Sequence, residues 1–363
     1  MIVKSVKATV IRLPFSIKIG AMPRFNASGT LVEVETDEGI VGYSMTHFPF
    51  SDRSLARYIE EVLSKIVVGK DPFMIEAIWR DMYNTCNRIL LGIAQATSAV
   101  ECALWDVVGK ALKTPVYRLL GGFKEKVKAY ASFPFALTPK AASQMAETAR
   151  KRSFQAVKLR IGEGLKKDEE IIKTVREEHP DLEIMVDANS AYNEIREAVK
   201  LSEICDRYDV RWLEEPLPSD NLAALSELRA RSAVEIAGGE NDFSLFRFKE
   251  ILDMGAYDIV QPDATRCGGI LQCKKIAALA EAYGVQSIPH IFGFGLVMAA
   301  NLQVIAATYN SNYMEYPLYP DEFYLLEKPI EVRDGYALVP KEPGLGVQVN
   351  FEAIEKYAEK SGK

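Results

Sequence analysis

Six ionisable residues recur at nearly constant intervals in the second half of the chain, separated by 27, 26, 23, 27 and 25 residues. They are Asp187 in MVDAN, Glu214 in WLEEP, Glu240 in AGGEN, Asp263 in VQPDA, His290 in SIPHIF and Glu315 in YMEYP. Each ends a short run of strand-forming residues, and each interval is close to one strand plus one helix. In a barrel of alternating strands and helices, the strand C-termini converge on one face. The spacing therefore predicts one site containing all six side chains.

Three of these residues, Asp187, Glu214 and Glu240, are carboxylates that end consecutive predicted strands. Oxygen ligands suit a hard cation such as Mg²⁺, with Mn²⁺ as a possible substitute, and the lack of His or Cys argues against zinc. The alternative is pairing with Lys or Arg at the barrel rim, but three clustered carboxylates repel one another without a cation. The sequence therefore predicts a divalent-cation site. Glu215 points the other way along its strand and is expected to support the structure.

Lys158 and Arg160 in AVKLRIG are two residues apart, so in a strand they share one face. Two cations there suit a bound carboxylate or enolate, and salt bridges to the metal carboxylates are the alternative. Arg160 is a poor base because arginine is effectively always protonated. Lys158 becomes a candidate base only if neighbouring cations lower its pKa.

His290 is one of three histidines, and alone it could equally be a core residue. Asp263, one unit earlier, would hold one ring nitrogen and orient the other toward a substrate. Glu315, on the last predicted strand, could hydrogen-bond a developing oxyanion as a carboxylic acid. These residues predict a proton-transfer site beside the cation.

The elements that position these residues follow from the hydrophobic patterning. Residues 1 to about 45 alternate as strands around a DEG turn, and residues 54–120 show helical spacing. From residue 127 to about 325, strand-like and helix-like runs alternate, which is typical of a parallel barrel. The pattern predicts a barrel with a smaller N-terminal domain.

Composition limits the class of protein. The net charge of −6 gives no reason to expect binding to nucleic acid or to an anionic membrane, and no apolar run approaches about 18 residues. The N-terminus lacks the apolar core of a signal peptide. The five cysteines are scattered and lack paired metal-binding spacing, which favours a reduced, cytoplasmic setting. They are Cys86, Cys102, Cys205, Cys267 and Cys273.

Together these motifs resemble the enolase superfamily, and more closely its mandelate racemase branch. The resemblance covers nearly the whole chain and rests on an ordered set of segments. They are TLVEVETDEGIVGY, ALWDVVGKALKTPVYRLLGG, VKLR, VDAN, WLEEP, GGEN, QPDATRCGG, PHIF, MEY and PGLGVQV. The fold implied is α/β: a modified TIM barrel, (β/α)₇β, with an N-terminal α+β capping domain completed by the C-terminal segment. We expect a capping domain at 1–122, a catalytic barrel at 123–328, and a segment at 329–363 that packs back on the capping domain.

The resemblance implies abstraction of the proton α to a carboxylate, with Mg²⁺ stabilising the enolate. The residue positions match family motifs as follows: Asp187, Glu214 and Glu240 as metal ligands, Asp263 and His290 as a dyad, Glu315 as the carboxylate-binding acid, and Lys158 with Arg160 on a Lys-x-Lys motif. Arg160 in place of the second lysine argues against two-base racemisation. A single base, His290, acting in a dehydration fits better.

Two reactions remain open from the sequence, because the chemistry up to the enolate is shared. The first is dehydration of a sugar acid to a 2-keto-3-deoxy acid, and the second is cycloisomerisation of a sugar lactone; racemisation or epimerisation is less favoured. A catalytically inactive barrel acting as a binding protein is the non-enzymatic alternative. The complete metal triad and the intact Asp–His pair argue against it.

Substrate specificity is expected in two capping-domain loops, residues 16–28 and 44–55, which hold Met22, Arg24, Phe25 and His47. Arg24 could bind a second carboxylate of a diacid or be a solvated loop charge, and His47 could be functional or structural. The aromatic and methionine side chains could exclude water from the site. We expect a small hydroxy acid or lactone as the partner molecule and a homo-oligomer, from dimer to octamer.

Overall fold

The computed structural model describes residues 1–17, 25–47, 51–89, 94–133 and 138–359. The N-terminal domain begins with an antiparallel sheet of three strands, with β2 in the centre. The strands are β1 (Val3–Ile17), β2 (Phe25–Thr36) and β3 (Val41–Thr46). The DEG turn predicted from the sequence joins β2 to β3.

Helices cover this sheet. They are α1 (Asp52–Tyr58), a π-helical turn (Ile59–Leu63), α2 (Ser64–Val67), α3 (Ile75–Ile89), α4 (Ala94–Ala111) and α5 (Val116–Leu119). The helix α4 is buried over most of its length, as its apolar sequence predicts. It lies close to β3, because a Cβ atom at Gly42 would be only 2.2 Å from the carbonyl oxygen of Ala103. Glycine at this position allows the helix to approach the sheet.

Eight parallel strands form the barrel, and one helix connects each strand to the next. The strands are β4 (Lys126–Ser132), β5 (Ala156–Arg160), β6 (Glu183–Asp187), β7 (Val210–Glu214), β8 (Glu235–Gly238), β9 (Ile259–Val260), β10 (Gln286–Ser287) and β11 (Tyr313–Pro317). The helices are α6 (Pro139–Lys151), α7 (Leu165–Glu178), α8 (Ile195–Arg207), α9 (Leu222–Arg231), α10 (Leu245–Met254), α11 (Ile270–Ala282) and α12 (Gly295–Ala306). The last strand, β11, pairs in parallel with β4. The predicted (β/α)₇β barrel with an N-terminal capping domain is confirmed.

The alternation of side chains in each strand separates the packing layer from the site. In β5, Val157 and Leu159 belong to the apolar layer beneath the helices. Ala156 instead packs inside the barrel, in a cluster that includes Tyr130 and Trp212. Residues 158 and 160 follow at intervals of two, so their side chains also face the interior, closer to the C-terminal end of the strand.

The C-terminal segment contacts both domains. It contains a 3₁₀ helix (Asp321–Tyr324), β12 (Val332–Arg333), β13 (Tyr336–Leu338) and α13 (Phe351–Tyr357). The hairpin of β12 and β13 extends the barrel sheet, because β13 pairs antiparallel with β4. Further along, Gly344 pairs with Pro115 and Ala358 pairs with Ile11 of the N-terminal domain. The predicted domain boundaries themselves stay predictions. Within the described ranges, no helix has the length and apolar character needed to cross a membrane.

Candidate active site

The six residues predicted at strand ends, together with the predicted pair of cations, are all buried and meet at the C-terminal end of the barrel. They are Lys158, Arg160, Asp187, Glu214, Glu240, Asp263, His290 and Glu315. Strand register explains part of this convergence, because Arg160 is paired with Asp187, and Asp187 with Glu214, across neighbouring strands. Met22 and Arg24, two of the capping-domain residues expected to contribute to substrate specificity, lie outside the described residues.

Three carboxylates form a compact cluster at this end of the barrel. One oxygen from each of Asp187, Glu214 and Glu240 lies within 4.8 Å of the other two. Burial raises the pKa of Glu214 to about 7, despite the opposing effect of the Lys158 ammonium group. Among the described residues, Oε2 of Glu240 is buried and makes no hydrogen bond, although Nε2 of His290 lies 3.2 Å away. A divalent cation with oxygen ligands fits this donor set, because it would neutralise the repulsion among the three carboxylates and accept their oxygens as ligands.

Lys158 is fully buried among carboxylates. Its Nζ lies 2.7 Å from Oε1 of Glu214, 2.9 Å from Oε1 of Glu315 and 3.7 Å from Oδ2 of Asp187. Burial lowers the pKa of Lys158, but these carboxylates outweigh burial and leave the pKa well above its ordinary value. A raised pKa keeps Lys158 protonated, which argues against Lys158 as a base.

Arg160 also contacts the carboxylate cluster. Its Nη1 donates to Oδ2 of Asp187 at 2.7 Å and to Oδ1 of Asn189 at 2.5 Å, and its Nε donates to the Phe133 carbonyl at 3.2 Å. The salt bridges considered as the alternative for Lys158 and Arg160 are thus present in the structure. Both side chains remain positively charged groups beside the carboxylate cluster, which is compatible with binding an anion there.

Asp263 and His290 form a hydrogen-bonded pair. Nδ1 of His290 lies 3.0 Å from Oδ2 of Asp263. The other carboxylate oxygen of Asp263 accepts from the backbone N–H and hydroxyl of Thr265, each at 2.8 Å, and from Nδ2 of Asn301 at 2.9 Å. Burial raises the pKa of Asp263, but the hydrogen bond and charge of His290 outweigh it and lower the pKa. Asp263 is therefore ionised, and Nδ1 of His290 is the donor.

The second ring nitrogen of His290, Nε2, faces the carboxylate cluster at 3.2 Å from Oε2 of Glu240. Burial lowers the pKa of His290, but the Glu240 carboxylate, the hydrogen bond with Asp263 and the Glu315 carboxylate together outweigh burial and raise the pKa. When the ring is neutral with its proton on Nδ1, Nε2 carries a lone pair that can accept a proton. This arrangement matches the predicted orientation of the ring by Asp263.

Glu315 is held as a carboxylate. Its Oε2 accepts from the Ile291 backbone N–H at 3.0 Å, and its Oε1 pairs with Lys158. Burial raises the pKa of Glu315, but the charges of Lys158 and His290 outweigh burial and lower the pKa to about 2. A carboxylate accepts hydrogen bonds and donates none, so the predicted role as an oxyanion donor would require a proton that this arrangement disfavours. That role stays a prediction.

Two residues of the site were missed in the sequence. Gln261 donates from Nε2 to Oε2 of Glu214 at 2.9 Å. It lies directly after β9 and two residues before Asp263, so its position in the QPDA segment was the signal that could have identified it. Nη1 of Arg266 lies 3.4 Å from Oε1 of Glu240, and its Nε lies 3.8 Å from Oδ2 of Asp263. Arg266 is in a turn, where no periodicity indicates the side-chain direction.

Glu215 lies outside the three-carboxylate cluster. It is buried, its φ of +39° departs from the strand conformation, and its Oε1 accepts from Nδ2 of Asn241 at 3.3 Å. Burial raises the pKa of Glu215 well above its ordinary value, and the nearby Glu240 carboxylate raises it further.

The chain matches two family models. Residues 1–121 match the N-terminal domain of the mandelate racemase / muconate lactonizing enzyme family, and residues 140–354 match an enolase C-terminal domain-like model. The chain belongs to the mandelate racemase / muconate lactonizing enzyme family. The resemblance to the enolase superfamily predicted from the motifs is confirmed.

Relatives within the mandelate racemase / muconate lactonizing enzyme family include both reaction types considered above. The chain is 34% identical over 346 residues to the D-galactarolactone cycloisomerase of Agrobacterium fabrum, with 90% of each protein covered. It is also 34% identical over 338 residues to the arabinonate dehydratase of Saccharolobus solfataricus, covering 91% of this chain and 90% of that protein. These relatives support an enzyme and leave its reaction open between dehydration and cycloisomerisation.

A solved structure from the same superfamily bears on the metal. The fold matches a racemase from Streptomyces coelicolor A3(2) with bound magnesium, with a TM-score of 0.91 and 26% identity. The match covers 99% of this chain and 100% of that chain. Bound magnesium in that protein agrees with the acidic triad found here.

Proposed function

We propose that this chain catalyses a Mg²⁺-dependent β-elimination of water from a sugar acid, giving a 2-keto-3-deoxy acid. The observation that carries the proposal is the Asp263–His290 pair, whose second ring nitrogen, Nε2, lies beside the carboxylate cluster. An α-proton next to a carboxylate is removed only when the resulting negative charge is stabilised. The site combines a base with the groups able to do this.

The residues that would hold the cation are Asp187, Glu214 and Glu240. When bound, a divalent cation supplies positive charge that stabilises the substrate carboxylate as the α-carbon loses its proton. Lys158 and Arg160 add two fixed positive charges on the same side of the barrel. Because they are already held by carboxylates, they need no reorganisation during the reaction.

His290 would carry out both proton transfers. Asp263 fixes the proton on Nδ1, so Nε2 of the neutral ring takes the α-proton as the Cα–H bond breaks. The same nitrogen then returns the proton to the β-hydroxyl oxygen as the Cβ–O bond breaks and water leaves. The product enol rearranges to the 2-keto acid. One base therefore suffices for the whole elimination.

The charged states of Lys158 and Arg160 support a single-base reaction over racemisation. A two-base racemase needs a proton acceptor on each face of the substrate carbon. Neighbouring carboxylates hold the pKa of Lys158 well above its ordinary value, and the pKa of Arg160 is also raised because Asp187 and Glu240 outweigh the effect of burial. Neither side chain is suited to accept the second proton.

Cycloisomerisation of a sugar lactone is the second candidate, supported by the similarity to D-galactarolactone cycloisomerase over 90% of the chain. The proton transfers to and from His290 would be the same. The leaving group would be the ring oxygen of the lactone, which stays attached to the product, so no water would be lost.

The test is a proton NMR screen in D₂O with Mg²⁺ against aldonic acids, aldaric acids and their lactones. We expect loss of the α-proton signal together with a 3-deoxy-2-keto product that has lost one water. An isomeric product from a lactone would replace dehydration by cycloisomerisation, and exchange without elimination would indicate racemisation or epimerisation. No exchange with any compound, with Mg²⁺ binding established by calorimetry, would refute the sugar-acid assignment.

The matched variant for this screen is His290→Asn. Its amide N–H can still donate to Asp263, but the side chain has no basic nitrogen at the position of Nε2. We expect α-proton exchange to be abolished while the thermal midpoint stays close to that of the wild type. Full retention of exchange would exclude His290 as the base.

A further inference from the structure

His47 is a capping-domain residue that reaches the barrel site. It directly follows β3 and is 5% exposed. Its ring stacks on Phe25 with centroids 6.0 Å apart and packs against Phe292 of the barrel at 5.3 Å. Phe292 lies two residues after His290 and stacks on that ring at 6.5 Å. The imidazole of His47 is therefore one aromatic ring away from the base assigned above.

The contacts of His47 determine which ring nitrogen carries the proton. Nδ1 lies 2.5 Å from the carbonyl oxygen of Ser28, and a carbonyl oxygen only accepts hydrogen bonds. Nδ1 is therefore the donor. Burial lowers the pKa of His47 to about 3, and the Arg266 charge lowers it further than the Ser28 hydrogen bond raises it. The ring is neutral at pH 7, so Nε2 carries a lone pair.

No described residue donates a hydrogen bond to this lone pair. Nε2 of His47 is buried and has no hydrogen-bond partner within the described part of the chain. A buried acceptor without a partner is costly, and native proteins rarely keep one without a reason. An acceptor held rigidly by Ser28 and two aromatic rings is a suitable recognition group for a ligand that donates a hydrogen bond.

We propose that Nε2 of His47 accepts a hydrogen bond from a hydroxyl group of the bound substrate, and that His47 thereby selects a polyhydroxy acid over its deoxy analogue. The inference rests on the proposed function, because it concerns the same substrate. A carboxylate at this position would place its lone pairs against that of Nε2, so His47 also selects against a second carboxylate there. A deoxy analogue would leave Nε2 unpaired in the complex.

The first test needs no substrate. The ¹⁵N shifts of the histidine rings report the tautomer, and the chain has three histidines, so comparison with His47→Phe assigns the His47 signals. We expect a neutral ring with its proton on Nδ1 at pH 7. A charged ring, or a proton on Nε2, would overturn the inference, because Nε2 would then donate to the ligand.

The second test measures kcat and KM for the wild type, His47→Phe and His47→Gln, using the acid found in the screen and its monodeoxy analogues. His47→Phe keeps an aromatic ring against Phe25 and Phe292 but has no acceptor. We expect it to lose about 10- to 100-fold in kcat/KM on the parent acid. His47→Gln, which can present an amide oxygen near the Nε2 position, should recover most of this loss.

One deoxy analogue identifies the hydroxyl. It should react about 10- to 100-fold more slowly than the parent acid with wild type, yet no more slowly with His47→Phe, because the interaction is already absent. The inference would be overturned if, for every deoxy analogue, the loss in kcat/KM from removing the hydroxyl and the loss from His47→Phe were additive while both variants remained folded. If the proposed function itself is wrong, the wild type will not remove the α-proton of any sugar acid. That result is independent of the tautomer of His47, so the two failures can be distinguished.

Discussion

Replacing Asp263 with asparagine exchanges one carboxylate oxygen for an NH₂ group. We expect this change to move the proton of His290 from Nδ1 to Nε2, so that His290 can no longer act as the base. The Oδ1 atom of Asp263 accepts three hydrogen bonds, two from Thr265 and one from Asn301. In the variant, the amide oxygen should keep this position to satisfy those three donors. The amide NH₂ group would then face Nδ1 of His290. A neutral His290 would have to accept there, which moves its own proton to Nε2 and removes the lone pair that takes the α-proton.

The size of the effect follows from these contacts. Restoring a basic Nε2 requires the introduced amide to flip, which breaks three hydrogen bonds worth about 1 to 1.5 kcal/mol each, or about 3 to 4.5 kcal/mol in total. Since each 1.36 kcal/mol is a factor of ten in rate, Asp263→Asn should slow α-proton exchange by about 10²- to 10⁴-fold.

The assay is the rate at which the α-proton signal is lost in D₂O, with the thermal midpoint measured in parallel. Asp106→Asn is a matched control, because Asp106 is also a buried carboxylate. It accepts hydrogen bonds from the backbone N–H groups of Tyr43 and Leu345, which belong to neither loop of the dyad. It should lose about 1 to 3 kcal/mol of stability and leave the exchange rate unchanged. If Asp263→Asn exchanges within about tenfold of wild type, or if both variants slow equally, the tautomer argument is wrong.

Three further predictions concern the metal, pH and the domain junction. Glu240→Gln should abolish the rise in thermal midpoint that Mg²⁺ produces, because it removes one of the three clustered carboxylates. Burial lowers the pKa of His47 to about 3 from 6.5, so the unfolded chain binds a proton first as pH falls. The His47 contribution to the unfolding free energy should therefore decrease by about 2 kcal/mol from pH 7 to pH 5 and be absent in His47→Gln, as measured by urea titration. Glu101→Gln should lower the unfolding free energy by about 1 to 3 kcal/mol, because a single amide oxygen cannot replace both carboxylate oxygens that accept from Ile270 and Leu271.

Substitutions of surface carboxylates serve as controls for the metal variant and the junction variant. Glu250→Gln changes a surface carboxylate paired with Arg247 and should keep the full Mg²⁺ effect; loss of that effect in both variants would mean non-specific binding. If the unfolding free energy has the same pH dependence in the wild type and in His47→Gln, the pKa of His47 is not lowered in the folded protein. Glu76→Gln, at an exposed pair with Lys275, should change stability by less than about 0.5 kcal/mol, and an equal loss there would remove the case for Glu101.

The convergence of the site was predictable from the sequence because barrel geometry converts a spacing along the chain into a position in space. Asp187 and Glu214 are 27 residues apart in sequence, yet they are register partners on adjacent strands. The side on which Lys158 and Arg160 lie followed from the period-2 rule in the same way. A position at a strand end is fixed by the backbone alone, and a sequence pattern can indicate it.

The protonation states were not predictable, because they depend on distances across the barrel. Whether Lys158 was a base or a cation depended on which groups lie within about 4 Å, and these come from three other strands. The ionised form of Glu315 has the same origin. Arg266 was missed because turn residues carry no periodic signal, and the role of His47 stayed open because its neighbours belong to the other domain.

Contacts between the capping domain and the barrel connect His47 to the loop that holds Asp263. The hydroxyl of Thr46, next to His47, donates to the Thr265 carbonyl at 3.1 Å, and Thr265 in turn donates twice to Asp263. In the same loop, a Cβ atom at Gly269 would lie only 2.1 Å from Oε2 of Glu101, and its φ of +110° favours glycine. The loop that holds Asp263 is thus fixed by the capping domain that carries His47. A substitution at this junction should therefore change kcat and KM together, whereas a loop that merely covered the substrate would change KM alone.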